Sequence, residues 1–153
     1  MKQIDIWTDG SARPNPKGFG GWGIVFRCGD NVKEHSGSEL DTTNNRMEMT
    51  AALEALKALR FPCLVNLRSD SQYLINAFNK KWVQKWMKNG WKTATGESVK
   101  NQDLWEQLWA LSQPHKITWT WVKGHANEEG NNRCDELANE PRLKLEASTK
   151  LSE

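Results

Sequence analysis

The stretch QIDIWTDG, residues 3–10, places alternating apolar side chains directly before an acid in a polar turn. Ile4 and Ile6 are separated by one polar residue, the period-two pattern of a strand, and we expect that strand to end near Asp9. The next segment, 11–21, is dense in Pro and Gly, which predicts a loop. An acid at the carboxyl end of a strand is typical of sites in open α/β sheets.

Outward from this stretch, the periodicity predicts the element order β-β-β-α-β-α-α-β-α. We expect the later strands over 22–28, 32–38, 64–70 and 116–122. We expect the helices from Thr43 to before Pro62, over 71–79, from about Asn101, and from 131 onward. Helical crossovers make the strands that they connect parallel, whereas hairpins make them antiparallel. The prediction is an α/β fold with a five-stranded mixed sheet: three antiparallel strands, two parallel additions, and helices on both faces.

Length and composition indicate one domain covering residues 1–153. The chain is 37% hydrophobic and 26% charged, as in soluble globular proteins, and its apolar runs are too short to span a bilayer. Its three cysteines are widely spaced and odd in number, which favours reduced thiols over a disulfide framework. We therefore expect a cytoplasmic, monomeric protein that does not associate with a membrane.

Residues 80–92, KKWVQKWMKNGWK, combine five lysines and three tryptophans with no acid. Removing those five charges from the formal net charge of +2 leaves −3 on the rest of the chain. The positive charge is therefore local, which indicates a docking patch for an anionic partner.

Four acids lie where the predicted fold could gather them. Asp9 and Asp70 end two strands, Glu48 borders the apolar stripe of the first long helix, and Asp135 lies in the first turn of the last helix. If the two strands are adjacent and parallel, Asp9 and Asp70 face each other at one edge of the sheet. Converging carboxylates repel each other unless a cation neutralises them, and oxygen ligands suit Mg²⁺ or Mn²⁺.

These acids lie within a set of motifs that resembles the bacterial type 1 ribonuclease H family. The motifs, which are similar to the family's and occur in its order, are TDGS at 8–11, TTNNRME at 42–48, SDSQY at 69–73, KNGWKT at 88–93, WVKGHA at 121–126 and NNRCDELA at 131–138. The similarity extends over about residues 3–140. It implies a ribonuclease H-like fold and an endonuclease that cuts the RNA strand of an RNA/DNA hybrid, giving 5′-phosphate and 3′-hydroxyl ends.

The resemblance also implies roles for particular residues. By matching position, the metal-binding catalytic acids are Asp9, Glu48, Asp70 and Asp135, which would hold two Mg²⁺ ions, with Mn²⁺ as a possible substitute. His125 matches the family's histidine that assists proton transfer and product departure. An imidazole with an ordinary pKa suits that work near neutral pH.

The same matching implies contacts with the hybrid. Asn15, Asn44 and Gln72 match residues that contact sugars and base edges in the minor groove, where amides can serve the RNA 2′-hydroxyls. Thr43 and Asn101 match a pocket for a DNA-strand phosphate.

The basic stretch 80–92 resembles the family's handle, a protrusion that grips the hybrid. Its phosphate-binding lysines would be Lys85, Lys88 and Lys92, and Trp82 would lie against the DNA sugars. We expect either Trp82 or Trp86 to pack inward, since the two are four residues apart on a helix. The tryptophans expected inside the protein are Trp105, Trp119 and Trp121.

The chain departs from the family pattern in two places. Pro14 stands where the family usually has Gly before the asparagine, although Asn15 is retained. After Ala138 the tail is unlike family tails, and Pro141 predicts a break or kink about two turns into the last helix.

Two other functions use parts of the same pattern. A non-catalytic hybrid-binding module would keep the handle but would not need four acids. A transposase- or resolvase-like nuclease would share the sheet and the acids but would lack TTNNRME and the handle.

Overall fold

The protein, described from a computed structural model that covers residues 1–124 and 129–152, contains five strands and five helices within those residues. The strands are β1 Lys2–Arg13, β2 Gly18–Cys28, β3 Asn31–Thr42, β4 Cys63–Ser69 and β5 Lys116–Trp121. The helices are α1 Asn44–Lys57, α2 Gln72–Asn79, α3 Trp82–Lys88, α4 Gln102–Ser112 and α5 Glu129–Ser152. The predicted order lacked a separate element for α3, the short helix formed by the lysine-rich stretch.

The strands form one mixed sheet in the order β3-β2-β1-β4-β5. β1 pairs antiparallel with β2 and parallel with β4, β2 pairs antiparallel with β3, and β4 pairs parallel with β5. The predicted five-stranded mixed sheet is therefore confirmed. Along β1, Ile6 joins the core formed with α1, α2 and α4, while Trp7 joins Cys134 and Leu137 of α5. Helices therefore cover both faces of the sheet.

The loop predicted over 11–21 is wrong, because most of that segment is strand. Ser11 pairs with Gly21 and Arg13 pairs with Phe19, so β1 and β2 continue to a connection of only residues 14–17. The local glycines allow close packing against the sheet instead of forming a loop. A side chain at Gly21 would collide with the Ala138 carbonyl of α5, and its Cβ would lie 2.9 Å from the Cβ of Arg142.

The predicted break at Pro141 is also wrong, because α5 continues through Pro141 to Ser152. A proline inside a helix removes one backbone hydrogen bond and crowds the preceding turn. Packing on both sides of the proline offsets that cost, since Ala138 is 1% exposed and Arg142 is 5% exposed. Contact with the sheet therefore keeps the helix intact and carries Arg142 onto the face that covers β2.

The hydropathy of the helices bears on the expected lack of membrane association. Across the part of the chain that the structure describes, none of the helices combines the length and the apolar character needed to cross a bilayer.

Candidate active site

The end of the parallel pairing between β1 and β4 places two carboxylates side by side. Thr8 and Ser69 form the last register pair, and Asp9 and Asp70 are the next residue of each chain segment. β4 stops there because Ser71 caps α2, its hydroxyl accepting from the Leu74 N–H at 3.1 Å. β1 instead continues alongside β2, so Asp9 lies within its strand and does not end it, contrary to the prediction.

Helix α1 brings the third carboxylate to the same place. Thr43 caps the helix by accepting a hydrogen bond from the Arg46 N–H at 3.1 Å. Close approach to β1 requires glycine at position 10, since a Cβ there would lie 2.7 Å from the backbone nitrogen of Glu48. Glu48 is consequently only 7% exposed, as its place beside the apolar stripe predicted.

Asp9, Glu48 and Asp70 can each present a carboxylate oxygen within 4.8 Å of the other two. Asp9 is itself 7% exposed, and its Oδ1 accepts from the Gly10 N–H at 2.9 Å. Glu48 Oε1 is buried and has no hydrogen-bond partner among the described residues. A buried acceptor of this kind is costly unless something compensates it, and a hard divalent cation fits a donor set made of carboxylate oxygens. These three residues therefore fit a metal ion.

The pKa values of Asp9 and Glu48 are both raised, by burial and by the charges of neighbouring acids. Burial, and then the charge of Asp70, raise the pKa of Asp9 from 3.8 to about 7. Burial, followed by the charges of Asp9 and Asp70, raises the pKa of Glu48 well above its ordinary value. Because these groups resist ionisation when they are close together, a bound cation would stabilise their charged forms.

Asp135 approaches the cluster from α5. The helix begins at Glu129, so Asp135 lies in the second turn and not in the first, contrary to the prediction. It is half-buried and lines the same cavity, of about 700 Å³, as the other three acids. Its charge contributes to the raised pKa of Asp9. The structure therefore brings all four predicted acids to one cavity, with Asp135 outside the tight group of three.

The three amides predicted to read the minor groove line this cavity as well. Asn44 Oδ1 accepts from the Ala12 N–H at 2.7 Å, and Asn15 Oδ1 accepts from the Asn44 N–H at 3.1 Å. These bonds fix the connection after β1 against the start of α1, and the two amide nitrogens take no part in them. Gln72 lies across the cavity in the first turn of α2.

Thr43 and Asn101 are connected through a residue that sequence reasoning missed, Arg46. Arg46 Nη1 donates to Asn101 Oδ1 at 3.1 Å, and its Nη2 lies 2.8 Å from Asp103 Oδ2. Asn101 in turn donates to the Tyr73 hydroxyl at 3.2 Å. The available signal was the position of Arg46 inside TTNNRME, one turn into a helix that begins at the predicted pocket.

The predicted handle is α3 with the turn that follows it. Lys85, Lys88 and Lys92 are exposed, whereas Trp82 and Trp86 are both half-buried. Both indoles pack against the core, so the expectation that one of the two packs inward is met by each of them. The indole rings of Trp82 and Trp86 have centroids 6.2 Å apart.

Aromatic packing connects the handle to the core. Trp86 lies 5.8 Å from Trp105, measured between ring centroids, and Trp105 is fully buried. Trp119 is 9% exposed, as predicted, but Trp121 is 45% exposed, so its prediction as an interior residue is wrong. Trp121 Nε1 donates to the Asp70 carbonyl at 3.1 Å, which places this indole beside the cluster.

His125 lies outside the described residues. The residue before it, Gly124, approaches the cluster closely: a Cβ at Gly124 would lie 2.9 Å from Asp70 Oδ2.

Comparisons with known proteins indicate the family to which the chain belongs. The RNase H family model matches residues 1–142. The ribonuclease H of Acetivibrio thermocellus is 57% identical over 138 residues, covering 90% of this chain and 93% of that protein. LC9-RNase H1, a solved type 1 RNase H with the type 2 active-site motif, is 26% identical with a TM-score of 0.80, covering 91% of this chain and 71% of its own. LC11-RNase H1, solved in complex with an RNA/DNA hybrid, is 26% identical with a TM-score of 0.70, covering 93% and 98%.

The chain therefore belongs to the ribonuclease H family. Membership confirms the predicted enzyme class, a ribonuclease that acts on the RNA strand of RNA/DNA hybrids, and does not favour the binding module or the transposase- or resolvase-like nuclease. The family is metal-dependent, in agreement with the cluster of Asp9, Glu48 and Asp70.

The raised pKa of Asp9 makes the stability of the metal-free protein depend on pH. Between pH 3.8 and about 7 Asp9 binds more proton in the folded protein than in the unfolded chain, so its contribution to the free energy of unfolding falls as the pH rises through that range. Asp9→Asn should make this fall shallower. Urea unfolding in EDTA across the range measures it, with Asp30→Asn in the exposed turn after β2 as the control. Equal slopes for the parent and Asp9→Asn would contradict the assignment.

Proposed function

We propose that the protein hydrolyses the RNA strand of a hybrid at the carboxylate cluster, leaving 5′-phosphate and 3′-hydroxyl ends. The observation that supports this is the group of three carboxylates within 4.8 Å of one another, one of them with a buried oxygen that no described residue satisfies. The residues that would hold two Mg²⁺ ions, or Mn²⁺ in their place, are Asp9, Glu48, Asp70 and Asp135. When bound, such ions supply activation of water and stabilisation of charge on the phosphate.

The chain's own groups act mainly by holding charge in place. Asp9 and Asp70 are fixed by the register of β1 and β4, and Glu48 is fixed by the packing of α1. Their carboxylates are held by the sheet and by the helix packed on it, which favours a defined position for the cations and the scissile phosphate. Asp135 completes the set from α5 and lines the same cavity.

His125 is proposed to assist proton transfer and departure of the product. The proposal follows from its match to the family motif and from the proximity of Gly124, the preceding residue, to Asp70. Neutral and protonated imidazole are both accessible near pH 7, so one group can accept and return a proton.

Recognition of the RNA strand is assigned to amides at the cavity. Asn15, Asn44 and Gln72 line the same cavity as the acids, which supports a role for their donors and acceptors in contacting 2′-hydroxyls and base edges. Thr43 and Asn101 would bind a phosphate of the DNA strand. Arg46, which contacts Asn101, would add positive charge there, although Asp103 partly neutralises it.

The handle would bind the hybrid without reading its sequence. Lys85, Lys88 and Lys92 are exposed cations that can contact phosphates, while Trp82 offers a half-buried indole to the DNA sugars. The aromatic contacts with the core would hold α3 in a fixed position relative to the cavity. We further propose that the protein acts as a cytoplasmic monomer and that residues 1–153 form a single domain.

Asp70→Asn should abolish cleavage of an end-labelled RNA/DNA hybrid in Mg²⁺, because it removes a metal ligand. Binding of the hybrid should survive, since the handle is intact. Cleavage assays with the hybrid, duplex RNA, duplex DNA and single-stranded RNA, each with and without Mg²⁺, measure activity and substrate class together. Cleavage by Asp70→Asn near the parental rate would contradict the metal assignment.

Replacing Lys85, Lys88 and Lys92 together with Ala should flatten the dependence of log K on log salt by roughly one to three units, since each phosphate contact releases counterions. KM should rise at moderate salt, and kcat should stay near the parental value. Trp82→Ala should raise KM with the salt slope nearly unchanged, because an indole on a sugar releases no ions.

The control for the lysine variant is a triple alanine variant of exposed lysines elsewhere. Replacing the exposed residues Lys33, Lys116 and Lys150 with Ala removes the same number of positive charges from other parts of the surface. If the handle variant and this control had the same salt slope, the handle would be an ordinary solvated face and its proposed role would be wrong.

A further inference from the structure

A chain of polar side chains runs along one face of α5 away from Asp135. Asn139 Nδ2 donates to Asp135 Oδ2 at 3.3 Å, and Arg142 Nη2 donates to Asn139 Oδ1 at 3.2 Å. The spacing of four and then three residues places all three side chains on neighbouring turns of one helix face. The alignment requires that α5 continue through Pro141, as it does.

Arg142 determines which end of the Asn139 amide faces the active site. A guanidinium has only donors and a carboxylate has only acceptors, whereas an amide has one acceptor end and one donor end. With Arg142 on one side, the amide oxygen turns toward the guanidinium and the NH₂ group turns toward Asp135. The cation thus selects the orientation in which Asn139 can donate to the carboxylate.

Arg142 itself is held by burial. Its side chain is only 6% exposed, and its Nε has no partner among the residues that the structure describes. Its Nη1 lies 4.0 Å from Glu146 Oε2 in a long ion pair, and the hydrogen bond from its Nη2 to Asn139 at 3.2 Å is the shorter contact. The helix rests on Gly21, where any side chain would collide with α5, so the stem of Arg142 has little freedom to move. Burying a cation costs desolvation free energy, so the hydrogen bonds that Arg142 makes are needed to compensate its charge.

Asp135 is the acid that most needs such support. The other three carboxylates are fixed together by the sheet edge and α1, whereas Asp135 is half-buried and outside their group of three. Groups that hydrogen-bond to a metal-binding carboxylate orient it, and their loss typically weakens metal affinity.

We propose that Asn139 is a positioning residue that orients the Asp135 carboxylate toward the metal site, and that Arg142 sets the orientation of Asn139. The proposal rests on the proposed function, in which Asp135 holds a metal ion. It assigns roles at the site to two residues that follow the NNRCDELA motif. Both lie in the tail after Ala138 that departs from the family pattern.

Asn139→Ala should raise the Mg²⁺ concentration for half-maximal cleavage about 10-fold, the lower end of the usual effect of such partners. Calorimetric titration of the metal alone should show a matching loss of Mg²⁺ affinity, while KM and hybrid binding in EDTA stay parental. Ala favours helix, so the variant should fold. Arg142→Met, which keeps the apolar stem, should cause a smaller loss in the same direction.

The double variant separates positioning from general destabilisation. If Arg142 acts through Asn139, adding Arg142→Met to Asn139→Ala should cause no further loss of Mg²⁺ affinity. Lys144→Ala, which breaks an exposed ion pair with Glu140 on the same helix, is the matched control and should be parental. Additive losses in the double variant, or parental Mg²⁺ affinity in Asn139→Ala, would overturn the proposal.

Asp135→Asn distinguishes this failure from failure of the proposed function. If Asp135→Asn loses cleavage and Mg²⁺ affinity while Asn139→Ala retains both, only the positioning role is wrong. If Asp135→Asn itself retains both, Asp135 is not a metal ligand and the assignment of the fourth acid fails together with the positioning role.

Discussion

Burial and mutual repulsion act together on the carboxylates at the end of the β1–β4 pairing, and the surrounding packing has to hold these groups in place against both. Asp9 and Glu48 are almost inaccessible to solvent, and both have raised pKa values because they are buried beside other acids. Such a group destabilises the ionised, metal-free protein, and a divalent cation removes the penalty. The cluster thus lowers the stability of the metal-free protein but provides a site for metal binding, and such a loss of stability is common at functional sites.

Holding these acids together requires both helix layers to lie very close to the sheet. Gly10 admits α1 on one face, and Gly21 admits α5 on the other, because a Cβ at either position would collide with helix backbone. The two faces therefore deliver Glu48 and Asp135 to one cavity. The handle packs on this framework through tilted indole contacts between Trp86 and the buried Trp105, which suits a part that grips a partner instead of performing chemistry.

Much of this arrangement could be predicted from the sequence, because strand alternation and helical spacing are local signals. The parallel pairing that joins Asp9 to Asp70 followed from connection rules, and the start of α1 close to Thr43 followed from the helical spacing of the apolar residues. The extended β1–β2 hairpin could not be predicted, since its glycines look like loop residues until the helices that rest on them are known. The predicted break at Pro141 failed for a similar reason, because packing against residues distant in the sequence preserves the helix. His125 lies outside the described residues, so its role remains a prediction.

The most direct test of the central claim is the number of protons released when Mg²⁺ binds. Calorimetric titrations near pH 6.5, in buffers with different ionisation enthalpies, measure that number. With the pKa of Asp9 raised to about 7, the metal must displace protons from the cluster, so the apparent binding enthalpy should change with the buffer. An enthalpy that is the same in every buffer would mean that the carboxylates are already ionised, and it would contradict the account.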